Sequence, residues 1–585
     1  MINNLKIIPI VCIVLLTVFA SLPFLKPGLY TMHDDQQVAR LFLFDQALKA
    51  GQFPVRWVDG LGFGFGYPLF VFYPPIVYIV AEIFHLVGFG FISSVKLTFF
   101  FSIFLSGIAM YVLTKEFFGR FAALISALFY MYVPYRALDI YVRGAIAESF
   151  SFVWLPLILW SFFKLFETND RKYALFSGIF LALLMITHNL IFLPFMLILP
   201  LYLTFLFWQS GNKKKFTVYC ILSIIYSLFL SAFFWIPALM EKKFTLVDQL
   251  LLVNLADYRI HFVHPKQLWN WPWGFGGSAA GLVDGISFKI GKLHILVSVA
   301  AIFLAILLLL KNKKLSRLSI VSPERSRRVT YHLSLITFGL FIFSAFMTTF
   351  YSKFIWEMVK PLAYLQFPWR FLTFTALFSS FLAGAFIYFL RLTVLKLTIG
   401  IILIFLLIVP NLKLFKPQYY RTNLTNQSAT TKEVINWDVS NTSFEYIPKG
   451  AQLTVGQSGT SIIDIDKSQI PEQKIEVLSG TAQIDHLESS PSKISMNISA
   501  AGLVQIKANV FDFPGWSVLV DNQPTRINSN NNLKLVTFNV PTGDHKVVVE
   551  FKNTATRFWA NLISLFSILL LSILIVYKWR IQRAN

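Results

Sequence analysis

Two adjacent carboxylates, Asp34 and Asp35, open the stretch HDDQQVARLFLFDQALKAGQFP, nine residues after Leu25 closes the first apolar run. A doubled acid beside water can act as a base or hold a metal. It can also simply cap a helix, because apolar Val38, Leu41, Phe42 and Leu48 follow at helical spacing and carboxylates suit first-turn amides. Neither role precludes the other. Further along, YRALDIYVRGAIAES clusters Arg136, Asp139, Arg143 and Glu148, and MITHNLIFLP sets His188 and Asn189 in a tight corner. FKIGKLHIL carries Lys292 and His294, and YLQFPWRFLTF carries Arg370 at the start of an apolar run. A guanidinium so placed can bind a phosphate with two parallel hydrogen bonds. RWVDGLGFGFGYPLFVFYPP alternates glycines with rings; it lacks the Lys-Ser/Thr of a P-loop, and its rings suit a headgroup layer.

The elements that must position these groups are mostly membrane helices. Of 585 residues, 56% are hydrophobic, 62 are Phe and only 14% are charged, and mean hydropathy is +0.63. Repeated apolar runs of spanning length make this a polytopic α-helical membrane protein. The net charge of +22 sits in short loops, where it serves orientation and anionic headgroups rather than nucleic acid. Cys12 and Cys220 both lie in apolar runs, so no disulfide framework or zinc site is legible. The N-terminal run reads as an uncleaved first span rather than a signal peptide.

Twelve spans are expected, near residues 7–25, 93–114, 119–134, 149–166, 173–189, 190–209, 216–236, 292–311, 332–350, 368–390, 395–413 and 557–578. The stretch 69–89, broken by Pro74 and Pro75, reads as a helix lying in the outer interface. With that assignment the basic loops all fall on one side, which the positive-inside rule makes cytoplasmic. Both termini are then cytoplasmic, and the acids, His and Arg gather on the outer side. The span interiors hold almost no ionisable residues, which counts against an ion-coupled transporter.

After Lys413 the long apolar runs stop. Strand alternation appears in KISMNIS, LVQIKANVF, WSVLVD, LKLVTFNV and KVVVEF, with turn residues between them. The expected organisation is a transmembrane module over 1–413, whose first outer loop is 26–92, then an extracytoplasmic β-sandwich over 414–555 and a last span with a basic tail over 556–585.

This arrangement resembles the GT-C superfold of membrane glycosyltransferases. The motifs HDDQQVARLFLFDQALKAGQFP, YVRGAIAES, THN, FPWRF and FEYIPK resemble a bacterial membrane family labelled 6-pyruvoyl-tetrahydropterin synthase related. FPGWSVLVDNQ and VPTGDHKVVVEF are similar to the ending of the YfhO-like family. The resemblance covers most of the chain, and the pterin label implies no chemistry here. It implies a sugar taken from a polyprenyl-phosphate donor at the outer leaflet of the plasma membrane and passed to a glycan, lipid or protein acceptor. Asp34 or Asp35 would then be the general base or the ligand of a divalent cation such as Mg or Mn. Arg370 and Arg143 would hold the donor phosphate, with Glu148, His188 and His294 in supporting roles. The alternative is a non-catalytic envelope protein that binds lipid-linked glycans or helps to move them.

Overall fold

The computed structural model describes residues 4–250, 257–281, 283–311, 323–451, 465 and 467–584. The chain is mostly helical, ends in antiparallel sheets, and divides into two compact units. The first comprises 1–35, 96–228 and 256–424; the second comprises 36–95, 229–255 and 425–585.

Among the described residues, eight helices are long and apolar enough to cross a membrane, or up to ten if each of two bent pairs is one span. That count falls short of the twelve expected. The two runs that fall short form helices Ile7–Ala20 and Arg171–Thr187. The second has 17 residues, fewer than the ~20 that cover a hydrocarbon core. The expected span at 119–134 is half of a bent pair, Arg120–Met131 with Pro134–Arg143, turned by 41°. Pro134 stands at the first helical position after the break, where a ring without an N–H costs nothing.

In the first unit, the helix Leu372–Phe389 is the buried centre. It packs against Arg120–Met131, Lys292–Lys311 and Pro323–Met347. Gly384 permits the closest of these approaches, since a Cβ there would lie 2.9 Å from Ala122 O. Strand β1 (Leu29–Tyr30) pairs antiparallel with β2 (Tyr420–Arg421), and Thr31 N donates to Tyr419 O at 3.1 Å. This short ladder fixes where the chain stands just before Asp34.

In the second unit, the stretch 69–89 forms helices Leu69–Phe72 and Ile76–Leu86, broken at Tyr73–Pro75. Eleven residues rise about 16 Å, too little to span. Its neighbour is the helix Gln37–Lys49, whose N-cap is Gln36 with no side-chain cap bond; neither aspartate is the capping residue. The glycine-aromatic segment is not lipid-facing as its composition suggested. Phe63, Phe65 and Tyr67 are buried, and Trp57 meets Trp516 edge-on at 5.3 Å and Phe551 at 5.1 Å. Gly66 is needed there: its φ is 81°, and a Cβ would lie 2.6 Å from the Trp57 indole.

The C-terminal strands are β3 (Ile475–Ser479), β4 (Ala482–Ser490), β5 (Lys493–Ala500), β6 (Val504–Phe511), β7 (Trp516–Val520), β8 (Gln523–Thr525), β9 (Leu535–Val540) and β10 (Gly543–Phe551). They form a five-stranded sheet in the order β4-β5-β10-β7-β8 and a three-stranded sheet in the order β3-β6-β9. All pairs are antiparallel. Alternate residues of β5, β6 and β7 are buried, so one face of each sheet is covered. At the foot of the last span, Arg557 pairs with Glu241 at 2.8 Å, both side chains buried. Arg56 joins them through Phe233 O at 2.6 Å and Asn561 Oδ1 at 3.0 Å.

Glu82 on the helix Ile76–Leu86 is buried with both carboxylate oxygens unbonded. Burial first, then the charge of Asp45, pushes its carboxyl up to about 7, against the pull of His85 and Lys49. The folded value lies above the unfolded one, so proton binding is linked to folding. Stability is fully present below the ordinary carboxylate range and is lost as pH rises through about 7. Melting temperatures of the purified chain are expected to fall between about pH 4.5 and about pH 7 and to level off above it, and Glu82→Gln is expected to flatten that fall. An unchanged slope in the variant would show that another group titrates.

Candidate functional site

The site in the first unit is built around one carboxylate. The helix Pro134–Leu138 continues into a widened, π-type turn, Asp139–Arg143, which Gly144 closes in the left-handed region at φ 68°. The helix Ile146–Thr168 then starts with Glu148 in its first turn. The Tyr135 hydroxyl donates to Glu148 Oε1 at 2.6 Å and the Thr373 hydroxyl donates to the same oxygen at 3.1 Å. Arg143 Nη1 donates to Glu148 Oε2 at 2.8 Å and also to Asp139 Oδ1. Arg370 Nε stands 3.6 Å from Glu148 Oε2. Glu148 and Asp139 are fully buried, and Arg143 and Arg370 are nearly so. Two cations thus share one buried oxygen. The two hydroxyls and a second acid offset much of the burial cost, while Asp139 Oδ2 and Arg370 Nε are left without a hydrogen bond among the described residues.

Pro368 opens the turn Pro368–Phe371, which brings Arg370 to the head of Leu372–Phe389. Arg370 Nη1 donates to Leu365 O at 2.6 Å. Arg143 lies over the Trp369 ring, 4.4 Å from its centroid. His188 is the N-cap of the helix Asn189–Gln209, and its Nδ1 accepts from Ile191 N at 3.0 Å. Burial pushes its imidazole down to about 3; Glu148 opposes that shift, and Arg370 and Arg143 reinforce it. The ring is therefore neutral at physiological pH, with its proton on Nε2.

The first loop reaches this cluster through its backbone. His33 N donates to Val142 O at 2.9 Å and Asp34 N donates to Arg143 O at 2.7 Å. The half-buried Asp34 carboxylate acts electrostatically on both Arg143 and Arg370. Gly144 makes the approach possible. A Cβ there would strike the Met32 side chain, with Cγ at 2.7 Å. Asp35 turns elsewhere, to Arg421 Nη1 at 3.5 Å. Burial raises the Asp35 carboxyl above its usual range, although Arg421 pulls it down.

Asp34, Arg143, Arg370, Glu148 and His188 therefore come together. His294 does not join them: it is buried against Phe129 and its Nε2 donates to Phe129 O at 3.1 Å. Arg136 also leaves the cluster, bonding to Ser149 O at 2.9 Å and lying over Phe152 at 4.4 Å. Tyr135, Thr373 and Arg421 carried no signal in the sequence, because a lone hydroxyl or cation near a span reads as ordinary packing. The divalent ion expected at Asp34 and Asp35 finds little support in the donor set. Among the described residues no three His, Cys, Asp or Glu converge, and Asp35 is already ion-paired. No step is routed through a metal.

No protein-family model matches the chain, so the likeness to the YfhO-like and pterin-synthase-related families rests on the quoted motifs alone. An uncharacterized protein of Lactococcus lactis subsp. cremoris (strain MG1363) is 26% identical over 247 residues, 40% of this chain and 39% of that protein. The cryo-EM structure of the arabinofuranosyltransferase AftD from Mycobacteria is 14% identical with a TM-score of 0.40, over 71% of this chain and 27% of that one. The crystal structure of the Archaeoglobus fulgidus oligosaccharyltransferase in complex with Zn and sulfate is 14% identical with a TM-score of 0.35, over 69% of this chain and 52% of that one. The chain therefore spans less than two thirds of each of these three proteins. At these scores neither structural likeness bears on fold or activity.

Gly144→Ala is expected to cost about 1–2 kcal/mol from the left-handed backbone alone, and more from the collision with Met32. Thermal unfolding of the purified variant checks this, with Gly119→Ala as a control: it too has positive φ, but open space around it. Equal losses in the two variants would remove the Met32 contact from the account.

Proposed function

We propose that this chain is a GT-C-type membrane glycosyltransferase that moves a sugar from a polyprenyl-phosphate donor to a hydroxyl of an envelope acceptor. The observation that supports it best is the 2.7 Å bond from Asp34 N to Arg143 O, which keeps a partly water-accessible carboxylate beside two arginines. In this reading Asp34, rather than Asp35, is the base. It takes the proton of the acceptor hydroxyl as that oxygen bonds to the anomeric carbon. The bond from the anomeric carbon to the phosphate oxygen breaks, and its electron pair stays on the departing lipid phosphate. Arg143 and Arg370 stabilise the charge that develops there. Glu148 orients the two guanidiniums, and His188, held neutral, adds no third cation. The distribution of Lys and Arg between apolar runs supports an outward-facing site on a multi-pass plasma-membrane protein with cytoplasmic termini and an extracytoplasmic β-domain.

A second reading has its own observation. Asp139 and Glu148 already balance Arg143 and Arg370, which suits a protein that holds a lipid-linked glycan without turning it over.

Vesicles reconstituted with the full chain and a labelled polyprenyl-phosphate sugar separate the two. Asp34→Asn is expected to slow transfer by about 10²–10⁴-fold while leaving donor binding intact. Asp35→Asn is expected to stay within about tenfold of the parent, since its carboxylate serves Arg421. Full transfer by the double variant would remove the proposed chemistry. Donor binding with no transfer by the unaltered chain, across a range of acceptors, would favour the second reading.

A further inference from the structure

The two site arginines rest on a single aromatic stack. Phe367 and Trp369 stack at 4.7 Å between centroids with planes 20° apart. Arg143 lies 4.4 Å from the Trp369 centroid, and Arg370 lies 5.2 Å from the Phe367 centroid. Phe288 stacks on Trp369 at 5.3 Å, and the His261 ring meets Phe367 at 4.8 Å. Trp369 is 3% exposed. Each cation therefore has a ring of the same pair beneath it, in a desolvated setting where cation–π attraction is strongest.

Glu148 alone does not fix where the guanidiniums point. It bonds Arg143 through Nη1 and meets Arg370 only at Nε, 3.6 Å away, beyond hydrogen-bond range. Arg370 Nη1 is taken by Leu365 O. Among the described residues no hydrogen bond engages Nη2 of either arginine. A guanidinium packed over a ring loses rotational freedom, which narrows the directions its free edge can take. A phosphate needs both edges at once, because two-point binding depends on spacing as much as on charge.

We propose that Phe367 and Trp369 are positioning residues that set the spacing and orientation of Arg143 and Arg370 as a two-point clamp for a phosphate group. This rests on the reading of those arginines as the donor-phosphate site. It adds that the clamp's geometry is aromatic in origin, so its affinity depends on ring faces that never touch the ligand.

The test is equilibrium binding of radiolabelled polyprenyl phosphate to the full chain in nanodiscs, which needs no turnover. Trp369→Leu and Phe367→Leu are each expected to weaken binding by about tenfold, the worth of a desolvated cation–π contact. Trp369→Phe restores a ring face and is expected to stay within about threefold. Melting temperature is followed in parallel. Trp369→Leu binding as tightly as the parent, while Arg143→Ala and Arg370→Ala bind weakly, overturns the stack's role and leaves the phosphate site standing. Normal binding by both arginine variants overturns the phosphate site, and the stack's role with it. If Trp369→Leu does not fold, Trp369→Phe and Phe367→Leu decide: weak binding by Trp369→Phe, or parental binding by Phe367→Leu, overturns the proposal.

Discussion

The first unit depends on how a single buried carboxylate is satisfied. Glu148 is fully buried near the head of an apolar helix, where an isolated charge would cost many kcal/mol. Arg143, Arg370, Tyr135 and Thr373 remove that cost, and they come from two helices and two turns far apart in the chain. Taking away one partner of such a set typically costs ~3–5 kcal/mol, because the remaining charge is stranded. The cluster therefore ties the helix Ile146–Thr168, the turn before it and the entry to Leu372–Phe389 into one arrangement. Any chemistry at Asp34 inherits that rigidity through the backbone bond to Arg143.

The second unit meets the same constraint differently. Much of its core is aromatic: Trp57, Tyr67 and Phe63 from the glycine-rich segment are buried, and Trp57 and Phe65 pack against Trp516, Phe551 and Phe511 from the strands. Rings of this size bring most of the apolar area a small sheet can bury. Close approach needs a backbone without Cβ atoms, which the alternating glycines supply. Its buried charges are again met by partners: Glu241 pairs with Arg557, and Arg56, close enough to feel both charges, bonds to Phe233 O and Asn561. Burial, and then Arg557 beside it, lowers the Arg56 guanidinium to about 9.

Much of the helical part was legible in the sequence, because a span announces itself by length and apolarity alone. The runs outside that count show where the signal weakens. Residues 173–189 are apolar enough, but the helix they form is 17 residues long, and 119–134 is half of a bent pair. The strands β5, β6, β7, β9 and β10 followed from alternation, whereas β3, β4 and β8 did not. β4 reads AQIDHLESS and is exposed along most of its length, so no buried face wrote a period into its residues.

The sequence by itself determined the solvent each segment requires: apolar runs for lipid, alternating strands for one covered face, and scattered acids and arginines that had to find partners. Those demands are local, and composition and period express them. Which aspartate meets the arginines, which arginine leaves for a serine-lined niche, and which histidine merely packs were decided only by tertiary structure. Asp34 and Asp35 are chemically identical neighbours, yet one bonds the Arg143 backbone and the other pairs with Arg421. The difference comes from a left-handed glycine and a two-residue ladder contributed by segments more than a hundred and almost four hundred residues away, and pairing over such distances leaves no trace in local sequence.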